Sequence, residues 1–214
     1  MNTNPEAVRV LCFGDSNTFG VRSDAPDEGR WPADVRWTGR LQEALGADHD
    51  VIEEGLNGRT TDLDEPGRPG RNGLAYLVPC LESHLPVDVV VLMLGLNDLK
   101  TVFGRGPAEV AAAIGGLLDV IDRFKARAVL LSPVVPDPGK PLFADIMGGG
   151  FDATTLVERA RGLAGALRDL AAERGVIFGE AGAVAGPGPD GGHLELESHT
   201  ALAALVAGLV RRAS

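Results

Sequence analysis

Short runs that are apolar throughout alternate along this chain with longer stretches whose apolar residues recur every three or four positions. The first run, Val8-Arg9-Val10-Leu11-Cys12-Phe13, stops abruptly at Gly14. That is the pattern of a strand buried on both faces of a parallel sheet. Val51-Ile52 mark the centre of a second strand, and Asp88-Val89-Val90-Val91-Leu92-Met93-Leu94-Gly95 form the clearest, central one. Ala128-Val129-Leu130-Leu131-Ser132 and Val176-Ile177-Phe178 read as the fourth and fifth. Between them Trp37, Leu41 and Leu45 line one helical face that Gly46 ends, and a helix over residues 74–84 contains Pro79, which bends or interrupts it. Pro107 opens a helix to about Lys125 with Val110, Ile114, Leu117, Leu118 and Ile121 on its stripe. Asp152 or Thr154 caps the next, which carries Leu156, Leu163, Leu167 and Leu170 and closes at Gly175; a last helix covers residues 195–212. Strands alternating with helices predict a parallel sheet joined by right-handed crossovers, here a three-layer, flavodoxin-like α/β fold with five strands. No repeat or linker divides residues 1–214, so one domain is expected.

Three polar stretches interrupt this rhythm, at residues 22–34, 55–73 and 133–152. Loops of that length inside a compact domain tend to be functional or disordered. The last holds Leu142, Phe143, Ile146 and Met147 where solvent would otherwise meet them. Contiguous exposed apolar side chains mark interfaces, so self-association is expected there.

Composition narrows the function classes. Apolar residues make up 44% of the 214, which excludes global disorder. No apolar run approaches the ~18 residues of a membrane span, and the first residues lack the basic and apolar segments of a signal peptide. The expectation is therefore a cytoplasmic protein that does not bind membranes. A net charge of −10 with dispersed basic residues argues against a nucleic-acid partner. Cys12 falls in a strand and Cys80 in a helix; reduced, buried thiols are expected, with no structural zinc, because neither belongs to a CxxC or Cys/His cluster. Asp15 and Asp98 follow strands and read as turn-stabilising rather than metal-binding, and no cofactor is expected.

Four loops leave the carboxyl ends of predicted strands, where ligands bind in open α/β sheets. The first carries Ser16, which is either a nucleophile or the cap of the following helix. The second carries Gly58, whose backbone N–H a ligand can approach closely, and the third carries Asn97. The last carries Asp190 and His193, three apart, so that one turn could hold both. A serine hydroxyl needs a base to attack an acyl carbon, histidine suits that task, and a carboxylate orients the histidine. The N–H groups of Ser16 and Gly58 with the Asn97 amide would then make an oxyanion hole. Taken singly, Gly58, Asn97 and His193 also read as an ordinary loop glycine, a turn residue and a helix-start residue.

Gly14-Asp15-Ser16-Asn17-Thr18, Gly58, Gly95-Leu96-Asn97-Asp98 and Asp190-Gly191-Gly192-His193 resemble, in order, the four sequence blocks of the SGNH hydrolases, also called GDSL esterases. Val35-Arg36-Trp37-Thr38-Gly39, Glu53-Glu54-Gly55-Leu56 and Leu81-Glu82-Ser83-His84-Leu85-Pro86 look like the bacterial aryl esterase/acyltransferase branch. The resemblance implies Ser16 as nucleophile, Gly58 and Asn97 as oxyanion-hole residues, Asp190 and His193 as the rest of a triad, a small ester as substrate, and a homo-oligomer. Asn17 departs from the best-known motif, which has leucine there. His49, His84 and His199 are read as surface or structural.

Two other classes fit the topology. A phospho-receiver would show several acidic residues after the first strand, and only Asp15 is there; a nucleotide-binding module would show GxxxxGK[ST] or GxGxxG, and neither occurs. A catalytically inactive flavodoxin-like interaction module is the remaining alternative. Within the esterase reading, Phe19, Val21, Leu99, Val102, Phe103, Phe143 and Ile146 could converge on Ser16 and give a dry channel that favours acyl transfer to alcohols, with Gly191-Gly192 leaving one wall open.

Overall fold

In the computed structural model, which describes residues 3–214, side-chain alternation along the strands generates two separate cores. The five strands are β1 (Val8–Gly14), β2 (His49–Gly55), β3 (Val89–Met93), β4 (Arg127–Ser132) and β5 (Ile177–Glu180). They form one sheet in the order β2-β1-β3-β4-β5, with every neighbouring pair parallel. Val10 and Cys12 of β1, Val89, Val91 and Met93 of β3, and Val129 and Leu131 of β4 point to one face. Leu11 and Phe13, Val90 and Leu92, and Leu130 point to the other. Two-residue periodicity thus requires a helical layer on each side.

One layer consists of α2 (Trp37–Leu45) and α7 (Leu196–Ala213); the other of α3 (Gly73–His84), α4 (Pro107–Arg123) and α6 (Leu156–Arg174). Short helices α1 (Ser16–Phe19) and α5 (Phe143–Ile146) sit in loops. Pro79 does not interrupt α3, which runs continuously through it. At the start of α6 the Asp152 carboxylate accepts from Thr154 N and from the Thr155 hydroxyl in the turn just before the helix.

The strand order places a switch point between β1 and β3: from β1 the chain moves to β2 on one side, and from β3 to β4 on the other. The crevice outside such a point is where open α/β sheets bind ligands. The loop over residues 22–36 is fastened beside it by Glu53, whose carboxylate takes Arg30 at 2.6 Å and Arg36 at 2.7 Å. Arg30 also donates from Nε to Phe19 O at 2.9 Å, so the segment after α1 is held from outside.

The expectation of an exposed apolar loop at residues 133–152 is corrected in part. Phe143 is buried and Met147 is partly buried against the core, because this loop folds onto its own subunit. Its backbone is tied down by Asp137 N donating to Gly191 O at 2.8 Å and Leu142 N to Pro189 O at 2.9 Å. Ile146 remains 39% exposed. Among the described residues no helix is long and apolar enough to cross a membrane.

His199, on α7, serves the fold. Its Nδ1 accepts from Trp37 N at 3.2 Å, satisfying a donor at the start of α2 that no capping side chain meets. Burial, reinforced by Arg40 and Arg36, pushes this imidazole down to about 4. The unfolded chain therefore binds a proton that the folded chain refuses. Stability should be full above pH 6.5 and fall as pH drops toward 4, by about 2 kcal/mol between pH 7 and 5. Urea denaturation at the two pH values measures it, and His199→Gln, which keeps an acceptor but does not titrate, should remove most of that His-linked difference.

Candidate active site

Four chain segments converge at the carboxyl ends of β1, β2 and β3. After Gly14, Asp15 caps α1 by accepting from Asn17 N at 2.9 Å, which sets Ser16 at the helix start. Burial pushes the Asp15 carboxyl upward, while the Asn17 N–H, His193 and Arg59 oppose the rise. Ser16 thus both begins a helix and presents its hydroxyl, and the helix cap is the residue before it.

The second segment is the turn before α7. Asp190 is fully buried, and its Oδ1 accepts from Gly192 N at 2.9 Å and His193 N at 2.8 Å. Its Oδ2 lies 2.6 Å from His193 Nδ1, and His193 Nε2 lies 2.9 Å from Ser16 Oγ. Gly191 has φ +72°, and a Cβ there would sit 2.3 Å from Asp137 O, so turn and folded-back loop require a glycine together. The wall expected to be open beside Gly192 is closed, since Met147 lies against it.

Asn17 explains the departure from leucine at its position. Its Nδ2 donates to Gly192 O at 3.2 Å and its Oδ1 accepts from Leu194 N at 2.9 Å. Both bonds pin the His193 turn to α1, and Trp37 Nε1 fixes Asn17 itself by donating to its carbonyl at 3.0 Å.

The third segment, after β2, supplies Gly58, and the fourth, after β3, supplies Asn97. Gly58 has φ +76°, and Arg68 Nη1 would lie 2.4 Å from any Cβ there. Asn97 Nδ2 donates to Arg59 O at 3.1 Å and stands 3.4 Å from Asp15 Oδ2. Arg59 is buried; it donates to Gly14 O at 2.9 Å and to Glu54 O, and its guanidinium lies 4.2 Å from the centroid of the Phe13 ring. Next to Asn97, the buried Asp98 carboxylate accepts from the Thr61 hydroxyl at 2.6 Å and from Thr61 N. Burial raises Asp98 to about 6 against the pull of Thr61 and Arg105. Both aspartates therefore tie turns. The turn-stabilising part expected of Asp98 is what it plays, but its partner Thr61, and the supports Asn17 and Arg59, were not assigned from sequence, because a polar residue in a loop carries no periodicity that names its partner.

Ser16, Gly58, Asn97 and His193 all line one cleft of about 600 Å³. Val21, Leu96, Val102, Ile146 and Met147 give it apolar walls, and Asn57, Glu65, Arg68 and Lys100 give it polar ones. Lys100 Nζ stands 2.6 Å from Glu65 Oε1 at this rim. Of the side chains that could converge on Ser16, Val21, Val102 and Ile146 line the cleft, whereas Leu99 is in the core, Phe143 is buried under the Gly191 turn, and Phe19 and Phe103 are not among the lining residues.

A family model described as GDSL-like lipase/acylhydrolase matches residues 12–199, and the chain belongs to that family. With this sheet and this family it is a carboxylic ester hydrolase of the SGNH type. It is similar to the aryl esterase of M. smegmatis in its inhibitor-bound form, at 36% identity over 97% of this chain and 100% of that one, with a TM-score of 0.86. It is also similar to Est24, a carbohydrate acetylesterase from Sinorhizobium meliloti (35% identity, 96% and 99% covered, TM-score 0.85). A putative arylesterase from Agrobacterium tumefaciens str. C58 is a third similar structure, at 32% identity over 97% and 100%, TM-score 0.84. Among curated proteins none gives a significant match.

The Asn17 bridge yields a test. Asn17→Ala leaves Gly192 O and Leu194 N without their partners and frees the turn that carries His193. Ester turnover should fall about 10- to 100-fold in kcat with KM little changed, since misplacement by about 1 Å has that cost. Steady-state kinetics of the purified variant, with a melting curve to establish folding, decide it.

Proposed function

We propose that this esterase cleaves small acyl esters, aryl or acetyl, with Ser16 as nucleophile, His193 as base and Asp190 as the group that orients it. The observation that carries the reading is the continuous hydrogen-bonded chain from Asp190 Oδ2 through His193 to Ser16 Oγ. Ser16 Oγ attacks the acyl carbon as its proton passes to His193 Nε2, and Asp190 stabilises the imidazolium that forms. Negative charge develops on the carbonyl oxygen, where the N–H groups of Ser16 and Gly58 and the Asn97 amide meet it. One Asn97 hydrogen is spent on Arg59 O at 3.1 Å; the other makes only a long 3.4 Å contact with Asp15 Oδ2, which an oxyanion in the cleft would replace. His193 then protonates the departing alcohol, leaving an acyl-enzyme that water, activated by the same imidazole, converts to the acid and free Ser16. The printed activities of the similar structures, aryl esterase and carbohydrate acetylesterase, support this substrate class. The charged side chains at the rim favour a polar alcohol portion.

Ser16→Ala should keep the fold and abolish both turnover and labelling by a fluorophosphonate probe. Asp190→Asn should slow turnover by up to about 10⁴-fold, by analogy with other triads. Asn97→Ala should lower kcat by about 10²- to 10³-fold with a much smaller change in KM. Normal rates in the first two variants would overturn the assignment, and would favour the inactive interaction module; a loss confined to KM in the third would make Asn97 a substrate-binding residue.

The reading extends to acyl transfer. Met147 and Phe143 fill the space behind Gly191-Gly192 and shield the acyl-enzyme on that side, while the polar side chains on the other walls can hold an alcohol that competes with water for the acyl group. Supplying an activated ester with a primary alcohol at a small fraction of the water concentration should yield detectable new ester; acid alone, in proportion to water, would reject transfer and leave the esterase reading standing. Self-association is supported by Val102, 61% exposed, and Ile146, both on the cleft rim. Light scattering at micromolar concentration should find more than a monomer. A cytoplasmic setting is supported by two free, buried thiols.

A further inference from the structure

Away from the cleft, three metal-ligating side chains from two elements meet at the β2 edge of the sheet. Glu54 belongs to β2; Cys80 and His84 stand four apart on α3 and therefore share one helix face. Sequence reasoning treated that cysteine and that histidine separately. His84 Nε2 lies 2.9 Å from Glu54 Oε1, and the thiol sulfur, an imidazole nitrogen and a carboxylate oxygen all lie within 4.8 Å of one another. Tyr76, one turn earlier on the same helix, holds the other carboxylate oxygen through its hydroxyl at 3.1 Å. Cys80 is buried, whereas the side chains of His84 and Glu54 keep 29% and 18% of their surface exposed. The group is closed at its sulfur end and reachable from solvent at the other.

We propose that Glu54, Cys80 and His84 form a binding site for a borderline-soft divalent cation, Zn²⁺ by its donor set, with water as the fourth ligand. One sulfur, one nitrogen and one oxygen donor suit Zn²⁺, whereas Ca²⁺ and Mg²⁺ call for oxygen throughout. Tetrahedral zinc with bonds of about 2.0–2.3 Å spaces its ligand atoms about 3.2–3.7 Å apart. The His84–Glu54 pair must therefore open slightly and the sulfur close by about 1 Å, movements that side-chain rotation on a fixed helix and strand supplies. The thiol proton leaves to solvent, and the dication then balances one thiolate and one carboxylate. Exchange of one proton for the dication adds one net positive charge, so Arg59, whose guanidinium lies 5.1 Å from the Tyr76 ring centroid, then faces a neutral group where it had faced the Glu54 carboxylate. The Glu54 carbonyl also accepts from Arg59, the residue after Gly58, so a cation that clamps α3 to β2 steadies the strand from which the Gly58 loop departs. The cation takes no part in the ester chemistry, and the proposal is independent of the triad.

The whole chain, stripped with a chelator and then titrated with Co²⁺ as a spectroscopic substitute, tests it. One equivalent should produce a thiolate-to-cobalt charge-transfer band and the visible bands of tetrahedral cobalt, both removed by Zn²⁺. At a Zn²⁺ excess of about a hundred times Kd, Tm should rise by about 5–10 °C. Cys80→Ser should abolish the charge-transfer band, and His84→Gln, at a partly exposed position, should weaken Zn²⁺ binding about tenfold or more; Cys12→Ser should retain the band. Cobalt binding without a thiolate band, a band that survives Cys80→Ser, or Zn²⁺ affinity unchanged in His84→Gln would each overturn the site and leave a hydrogen-bonded cluster only.

Discussion

The hydrogen bond between His193 Nε2 and Ser16 Oγ joins residues 177 apart, and the rest of the site is organised to keep that distance at 2.9 Å. A free serine hydroxyl and a free imidazole would each find water instead, so the contact exists only where both partners are held. Asp190 holds one of them. Its carboxylate is wholly buried, a costly placement that it offsets by accepting three hydrogen bonds from its own turn. Asn17 holds the turn against the helix that carries Ser16, so donor and acceptor move as one piece.

The opposite wall follows the same logic with the charge reversed. Arg59 is a buried cation, and burial lowers its pKa against the pull of Glu54. It remains in place because its guanidinium lies on the Phe13 ring and donates to two carbonyls, one of them Gly14 O. A single side chain thereby links the end of β1 to the loop of Gly58, and its own carbonyl fixes the Asn97 amide. Asp98 repeats the link one residue further on through Thr61. Positioned donors that need not reorganise are what electrostatic stabilisation of an oxyanion requires.

The loop at residues 133–152 shows how apolar content in a loop can be misread. Phe143 and Met147 are not surface anchors; they fill the space beside Gly191 and Gly192, which lack side chains of their own. Two glycines and two large apolar residues from distant segments form one packed unit behind His193. Likewise Glu54, Cys80 and His84 share a neighbourhood only because side chains of α3 reach the Glu54 carboxylate of β2.

Local order was legible in the chain itself. Apolar runs without alternation marked strands buried on both faces, three- and four-residue spacing marked the helices, and Gly46 and Gly175 marked helix ends, because these signals depend on neighbours along the backbone. The residues at strand ends that could carry acyl chemistry, Ser16, Gly58, Asn97, Asp190 and His193, were legible for the same reason: strand termini and short spacings are local. What only the tertiary structure decided is which polar side chains meet. Asn17 could not announce Gly192, nor Arg59 Gly14 O, nor Asp98 Thr61, since hydrogen bonds between distant segments leave no period in the sequence. Nor could the chain say whether Phe143 faced solvent or Gly191, because burial of a loop residue is set by what folds over it, and that depends on the whole sheet.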